Sequence, residues 1–218
     1  MKKNDLKIPS FNREDCKIGF VHLGTGNFHR AHQALYINNY LNQTDDLNWG
    51  ICAINLRKEE QENFVFLQDR DGKYVLKTIS TSGDKEYHEI HSILNLIDWS
   101  KDKEEAENVL TNPNVEIVTM TVTESGYYIS QNNKLNLNLK IVKDNIEKKE
   151  RTIIFSYLLN ALKKRMESID KEITLLCCDN IRENGVMLEN ALKDYLENSK
   201  ELELLEWVNK KVSFPSCV

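Results

Sequence analysis

The sequence predicts an α/β protein with a doubly wound, mostly parallel sheet that carries an antiparallel hairpin insertion. Three observations lead there. Four short apolar runs lack strict alternation, as strands covered on both faces do. Amphipathic segments lie between them, and alternation of strand with helix is the pattern of a doubly wound sheet. The first run passes directly into a glycine-containing turn and then a helix.

Taken in order, residues 17–23, 49–56, 115–122 and 173–178 are the expected strands. Residues 30–41 place Ala31, Ala34, Leu35, Ile37 and Leu41 near one helical face, and residues 152–166 repeat the pattern with Ile154, Tyr157, Leu158, Ala161 and Leu162. Between residues 74 and 97, Val75, Lys77 and Ile79, then Ser82, Gly83, Asp84 and Lys85, then Tyr87, Glu89 and His91 alternate around a turn; the segment reads as an antiparallel insertion. Residues 131–150 are polar and read as a long surface connection, and residues 201–211 as a helix. The apolar stretch that follows, 212–218, is expected to begin a link to a further domain, leaving residues 1–211 as one nucleotide-binding unit.

Composition narrows the function. The net charge of −5, with basic and acidic residues interspersed, provides no basic face for nucleic acid. No apolar run approaches the roughly 20 residues of a membrane span, and residues 1–10 lack the apolar core of a secretory signal. The five cysteines, 16, 52, 177, 178 and 217, match no C-x-x-C spacing and read as reduced thiols of a cytoplasmic protein. Neither a Walker loop nor a glycine-framed nucleophile is present.

The chemistry concentrates at the first turn, Gly24-Thr25-Gly26-Asn27-Phe28-His29-Arg30-Ala31. Gly24 allows the tight turn, and Gly26 lets the backbone approach a pyrophosphate resting on the following helix, so Gly24, Gly26, Asn27, Phe28, His29 and Arg30 are the candidate cofactor-binding residues. His29 stands where the usual third glycine would be. Glu59 and Glu60 follow the second strand; a carboxylate there accepts the ribose hydroxyls of NAD and repels the extra phosphate of NADP, although Arg57 and Lys58 precede it and the spacing exceeds the usual ~20 residues. An adenosyl-methionine-dependent methyltransferase also has a glycine-rich first turn, and a non-catalytic nucleotide-binding or interaction module is the alternative outside catalysis. His29 and His32, three apart, have no third ligand in view, so no metal site is expected.

Five blocks in order resemble the polyol-specific long-chain dehydrogenases, the family of mannitol 2-dehydrogenase and fructuronate reductase (mannonate oxidoreductase). They run from His22 through the glycine turn to Ala34; Trp49-Gly50-Ile51-Cys52; Thr121-Val122-Thr123-Glu124-Ser125-Gly126-Tyr127; Cys178-Asp179-Asn180-Ile181-Arg182-Glu183-Asn184-Gly185; and Val212-Ser213-Phe214-Pro215. The resemblance implies a Rossmann-type domain that binds NAD and belongs to an oxidoreductase of carbohydrate metabolism. Such an enzyme moves hydride, without zinc, between nicotinamide and a hexitol or sugar acid: mannitol and fructose, or mannonate and fructuronate. It implies Glu60 as the NAD-selecting acid, Asn180 as the amide that binds the reacting oxygen, and Glu124 as a carboxylate beside the active centre. The family's catalytic lysine lies on a helix of a C-terminal domain that this sequence does not contain, so the chain alone is expected to be inactive. From the residues alone, the alternative for Asn180 is the cap of a following helix, and for Glu124 a surface turn residue. Lys163 and Lys164 lie on the polar side of a helix and read as solvated.

Overall fold

The computed structural model describes residues 6–57, 61–130 and 134–217. Its main sheet has six strands in the order β6-β3-β2-β7-β8-β9: Ile93–Asp98, Gly50–Asn55, Ile18–Leu23, Ile117–Met120, Ile173–Cys177 and Val212–Ser213. Every neighbouring pair is parallel, with Leu23 opposite Ile54 on one side and Met120 on the other. The chain leaves β2 toward β3 and β6, then returns to lay down β7, β8 and β9 on the opposite side. The strand order therefore reverses at the β2/β7 boundary.

Alternation along the strands separates two cores. Val21, Leu23, Cys52, Ile54, Val118, Met120, Leu175 and Cys177 face helices α4 (Lys103–Asn108), α6 (Ile154–Ser168), α7 (Asn184–Asn198) and α8 (Leu202–Lys211). Phe20, Ile51, Ala53 and Leu96 face the other way, against α2 (Gln33–Gln43) and the hairpin. Gly50 to Asn55 is buried throughout, which explains why that run reads as apolar without alternation.

Three details correct the sequence reading. The hairpin is β4 (Tyr74–Ile79) with β5 (Lys85–Ile90), and β1 (Leu6–Lys7) joins it in parallel, but residues 93–97 belong to β6 of the main sheet. The first helix begins at Asn27 rather than residue 30, as α1 (Asn27–Ala31), and breaks at His32 before α2. Residues 131–150 are not simply a connection: α5 (Lys140–Glu147) buries Val142 and Asn145, while residues 131–133 lie outside the described part. The remaining helix, α3 (Gln61–Gln68), follows β3.

One buried cation holds the α6 layer to the sheet. Arg165 is fully buried and donates to the carbonyls of Leu110, Val115, Lys171 and Glu172 at 2.7–3.0 Å. These carbonyls lie in the segments that enter β7 and β8, and the guanidinium satisfies those of Leu110 and Val115, which would otherwise be buried without donors.

Candidate functional site

The carboxyl ends of β3, β2, β7 and β8 lie side by side, and each is followed by a segment singled out in the sequence. Open parallel sheets bind ligands along this edge, at the point where strand order reverses.

After β2 comes the glycine turn. Gly24 has φ +113°, and a Cβ there would lie 2.7 Å from the Thr121 carbonyl oxygen, so backbone conformation and packing both demand glycine. Gly26 has an ordinary φ of −67° and precedes α1; a Cβ there would meet nothing within 4 Å. Conformation does not require that glycine, whereas close approach of a ligand to the backbone would.

Asn27 and Arg30 pair with each other through Oδ1 and Nη2. Phe28 is exposed and stacks on His32, with ring centroids 5.0 Å apart. His29 turns inward and stacks on His22 at 3.6 Å, with 10° between the rings. His22 in turn contacts Thr119 Oγ1 at 2.8 Å and Thr121 Oγ1 at 3.1 Å, while His29 Nδ1 meets Gln33 Oε1 at 3.0 Å. Burial holds both imidazoles well below the usual range, His29 at about 4, so the pair is neutral at pH 7. His29 and His32 thus face different surroundings.

After β3, Asn55 is fully buried and Arg57 donates to the Val122 carbonyl at 2.7 Å. Glu59 and Glu60 lie outside the described residues. Arg57, Leu56, Trp99, Val122, Gly126 and Arg151 are among the residues around a cavity of about 550 Å³ at this end of the edge. Its wall is fixed by Glu107, fully buried, which takes the Arg151 guanidinium in two contacts and the Trp99 indole N–H at 3.1 Å.

After β7, Glu124 opens a short 3-10 turn, Glu124–Tyr127, and is exposed; after β8, Asn180 is exposed in the turn before α7. Asn180 is not the cap of that helix, whose N-cap position is Glu183. The structure brings these two residues to adjacent strand ends. Lys163 and Lys164 lie elsewhere, on α6, and are ion-paired rather than simply solvated: Lys163 with Glu201 at 2.7 Å, and Lys164 with Glu104.

Four buried polar atoms along this edge, Thr25 Oγ1, His29 Nε2, Arg30 Nε and Asn55 Nδ2, have no hydrogen-bond partner among the described residues. Buried polar groups are normally satisfied. Their grouping beside an open glycine turn and a cavity fits a ligand with a polar backbone and a flat base, as a dinucleotide has. His22, Gln33, Asn55 and Thr25 were not singled out in the sequence. A histidine inside an apolar strand was the one available signal, and it does not reveal its partner.

The family model of the mannitol dehydrogenase Rossmann domain matches residues 18–218. D-arabinitol 4-dehydrogenase of Klebsiella pneumoniae is 32% identical over 91% of this chain, and D-mannonate oxidoreductase of Escherichia coli K12 is 33% identical over 95%. Mannitol 2-dehydrogenase of Pseudomonas fluorescens, solved as a ternary complex with NAD and D-mannitol, superposes with a TM-score of 0.90 at 29% identity over 96% of this chain. The chain spans 43% of the length of each of these relatives. With the matched residues covering the six-stranded sheet and its glycine turn, the chain belongs to the mannitol dehydrogenase Rossmann-domain family.

Proposed function

We propose that this chain is the NAD-binding part of a dehydrogenase that moves hydride between nicotinamide and a hexitol or sugar acid. The observation that carries it is the all-parallel order β6-β3-β2-β7-β8-β9, with the glycine turn at the reversal point. Across that edge the segments read in the order a dinucleotide needs. Arg57 and the cavity, with Glu59 and Glu60 following in sequence, serve the adenosine end; Gly24 to Arg30 serve the phosphates; Glu124 and Asn180 serve the reacting end.

When bound, NAD supplies the hydride acceptor. The roles of the chain's own residues follow from their chemistry. The Asn180 amide donates to the oxygen that gains negative charge as an alcohol is oxidised, and it cannot act as a base. Glu124 places a carboxylate beside that oxygen. Glu59 or Glu60 accepts the ribose hydroxyls and disfavours NADP. The proton is removed by a lysine of a C-terminal catalytic domain of the same enzyme, which is the partner this reading requires. A cytoplasmic setting belongs to the same proposal; among the described residues no helix is long and apolar enough to cross a membrane.

The test is a titration of the chain with NADH, NADPH and S-adenosylmethionine, read by energy transfer from Trp99, which lines the cavity. NADH is expected to bind more tightly than NADPH. Gly26→Ala should weaken NADH about tenfold or more by blocking backbone approach, with the melting temperature unchanged because that Cβ has free space. Binding of S-adenosylmethionine without NADH would contradict the reading, and tighter NADPH would remove the role given to Glu60.

A further inference from the structure

Glu124 and Asn180, the two side chains assigned to the reacting end, are exposed and make no hydrogen bond of their own among the described residues. Their positions therefore depend on the backbone of the two turns that carry them. The first turn is strained at both ends: Thr123 has φ +65° and Tyr128 φ +52°, conformations costly for residues with a Cβ, and especially for a β-branched threonine. Such a turn persists only if its surroundings hold it.

Asp179 holds it from the neighbouring strand. One carboxylate oxygen of Asp179 accepts the backbone N–H of Val122 at 3.0 Å and the hydroxyl of Tyr127 at 2.7 Å, the residues immediately before the two strained positions. The Val122 carbonyl is taken from the opposite side by Arg57, whose guanidinium occupies the space a Cβ on residue 126 would need. The Cys177 thiol donates to the same Tyr127 oxygen at 3.1 Å, and Tyr127 itself is fully buried. Asp179 is also the residue before Asn180, and its own carbonyl is held by the buried Asn184 amide at 3.1 Å. One side chain thus ties the Glu124 turn to the Asn180 turn.

We infer that Asp179 is a positioning residue, whose carboxylate fixes the Glu124 and Asn180 turns relative to each other at the reacting end of the site. This rests on the dehydrogenase reading for its catalytic consequence, but the brace itself is independent of it. Its removal acts on the reaction more than on cofactor capture: the glycine turn after β2 makes none of these contacts, and Val122, which also lines the cavity, keeps its bond to Arg57.

The test uses Asp179→Ala, Asp179→Asn and the milder Tyr127→Phe, which removes one of the two ties and keeps the ring in the core. In the 218-residue chain, amide hydrogen exchange across residues 121–128 and 178–184 should rise about tenfold in Asp179→Ala, with residues 18–30 unchanged and NADH affinity within about threefold. Tyr127→Phe should raise exchange in the same two turns by less. In the enzyme carrying its second domain, kcat should fall about 10–100-fold with KM for NAD unchanged. Unchanged exchange in the two turns would overturn the inference, as would a fall in kcat matched by an equal loss of NADH binding or of folded protein. If the wild-type chain fails to bind NADH, the dehydrogenase reading fails, and the exchange measurement still decides the brace.

Discussion

At the residue scale, the stacked His22–His29 pair has a measurable consequence in acid. Both rings are buried and held neutral, whereas unfolding returns each to solvent. As pH falls below 6.5, the released imidazole gains a proton that the buried one refuses until about pH 4. The unfolded chain then binds more protons, so stability falls with pH through that window and is fully present above it. At about 1.4 kcal/mol per tenfold difference in proton affinity, His29 alone removes on the order of 3 kcal/mol by pH 4. Thermal melts from pH 7.5 to 4.5 should decline more steeply for the wild type than for His29→Asn, and superimposable slopes would refute the assignment. Little of this was legible in the sequence. His29 stood out because it occupies a glycine position, but its partner lies seven residues earlier on a strand, and only the fold of the glycine turn stacks the two rings.

At the element scale, the long apolar runs and the helices α2, α6 and α8 were readable because their periodicity is dictated by burial, whereas α7, as long as α6, was not placed. Nor were the short helices. Helix α5 offers Val142 and Ile146 among lysines, aspartate and asparagine, and its polar residue Asn145 is buried, so the pattern hides the face that packs. Asn145 earns its burial by accepting the Thr152 N–H at 3.1 Å and donating to Thr152 Oγ1 at 2.8 Å, tying α5 to the start of α6. Arg165 is a parallel case on α6, where an arginine among lysines reads as surface. Replacing it with leucine leaves four carbonyls without their donor, those of Leu110 and Val115 at buried contacts, and Arg165→Leu should lower the unfolding free energy by on the order of 3 kcal/mol. Arg165→Lys should cost as much or nearly so, because an ammonium cannot span the same four acceptors. Urea midpoints measure both; a shift near zero for Arg165→Leu would show that the loops entering β7 and β8 are held by other contacts.

At the scale of the whole molecule, the inventory of groups sets the expectation for activity. The carboxyl edge carries an amide, Asn180, and a carboxylate, Glu124, whereas Lys163 and Lys164 lie on α6 and are committed there: Lys163 to Glu201, and Lys164 to Glu104 and Asn108. A positioned general base contributes roughly 10²–10⁴-fold, and orientation of the substrate contributes more. On the proposed dehydrogenase reading, the 218-residue chain alone is expected to produce no NADH from mannitol or mannonate above background, and a protein extended through the proposed C-terminal domain is expected to turn over. Turnover by the short chain that survives Lys163→Ala and Lys164→Ala but is lost in Glu124→Gln would mean that Glu124 is the base.

What the sequence determined by itself were the features that depend on neighbours close along the chain or on burial alone. These are strands β2, β3, β7 and β8, helices α2, α6 and α8, the glycine turn after β2, and hence the parallel doubly wound class. The tertiary structure decided which residues meet: His22 on His29, Arg57 on Val122, and Asp179 on Val122 and Tyr127, the last two pairs spanning 57 and 52 residues of sequence. It also drew Glu124 and Asn180, 56 positions apart by number, to adjacent strand ends. The physical reason is that periodicity reports whether a position is buried, not what it is buried against. A carboxylate that braces two turns and one that faces water carry the same signature until the sheet places β7 beside β8.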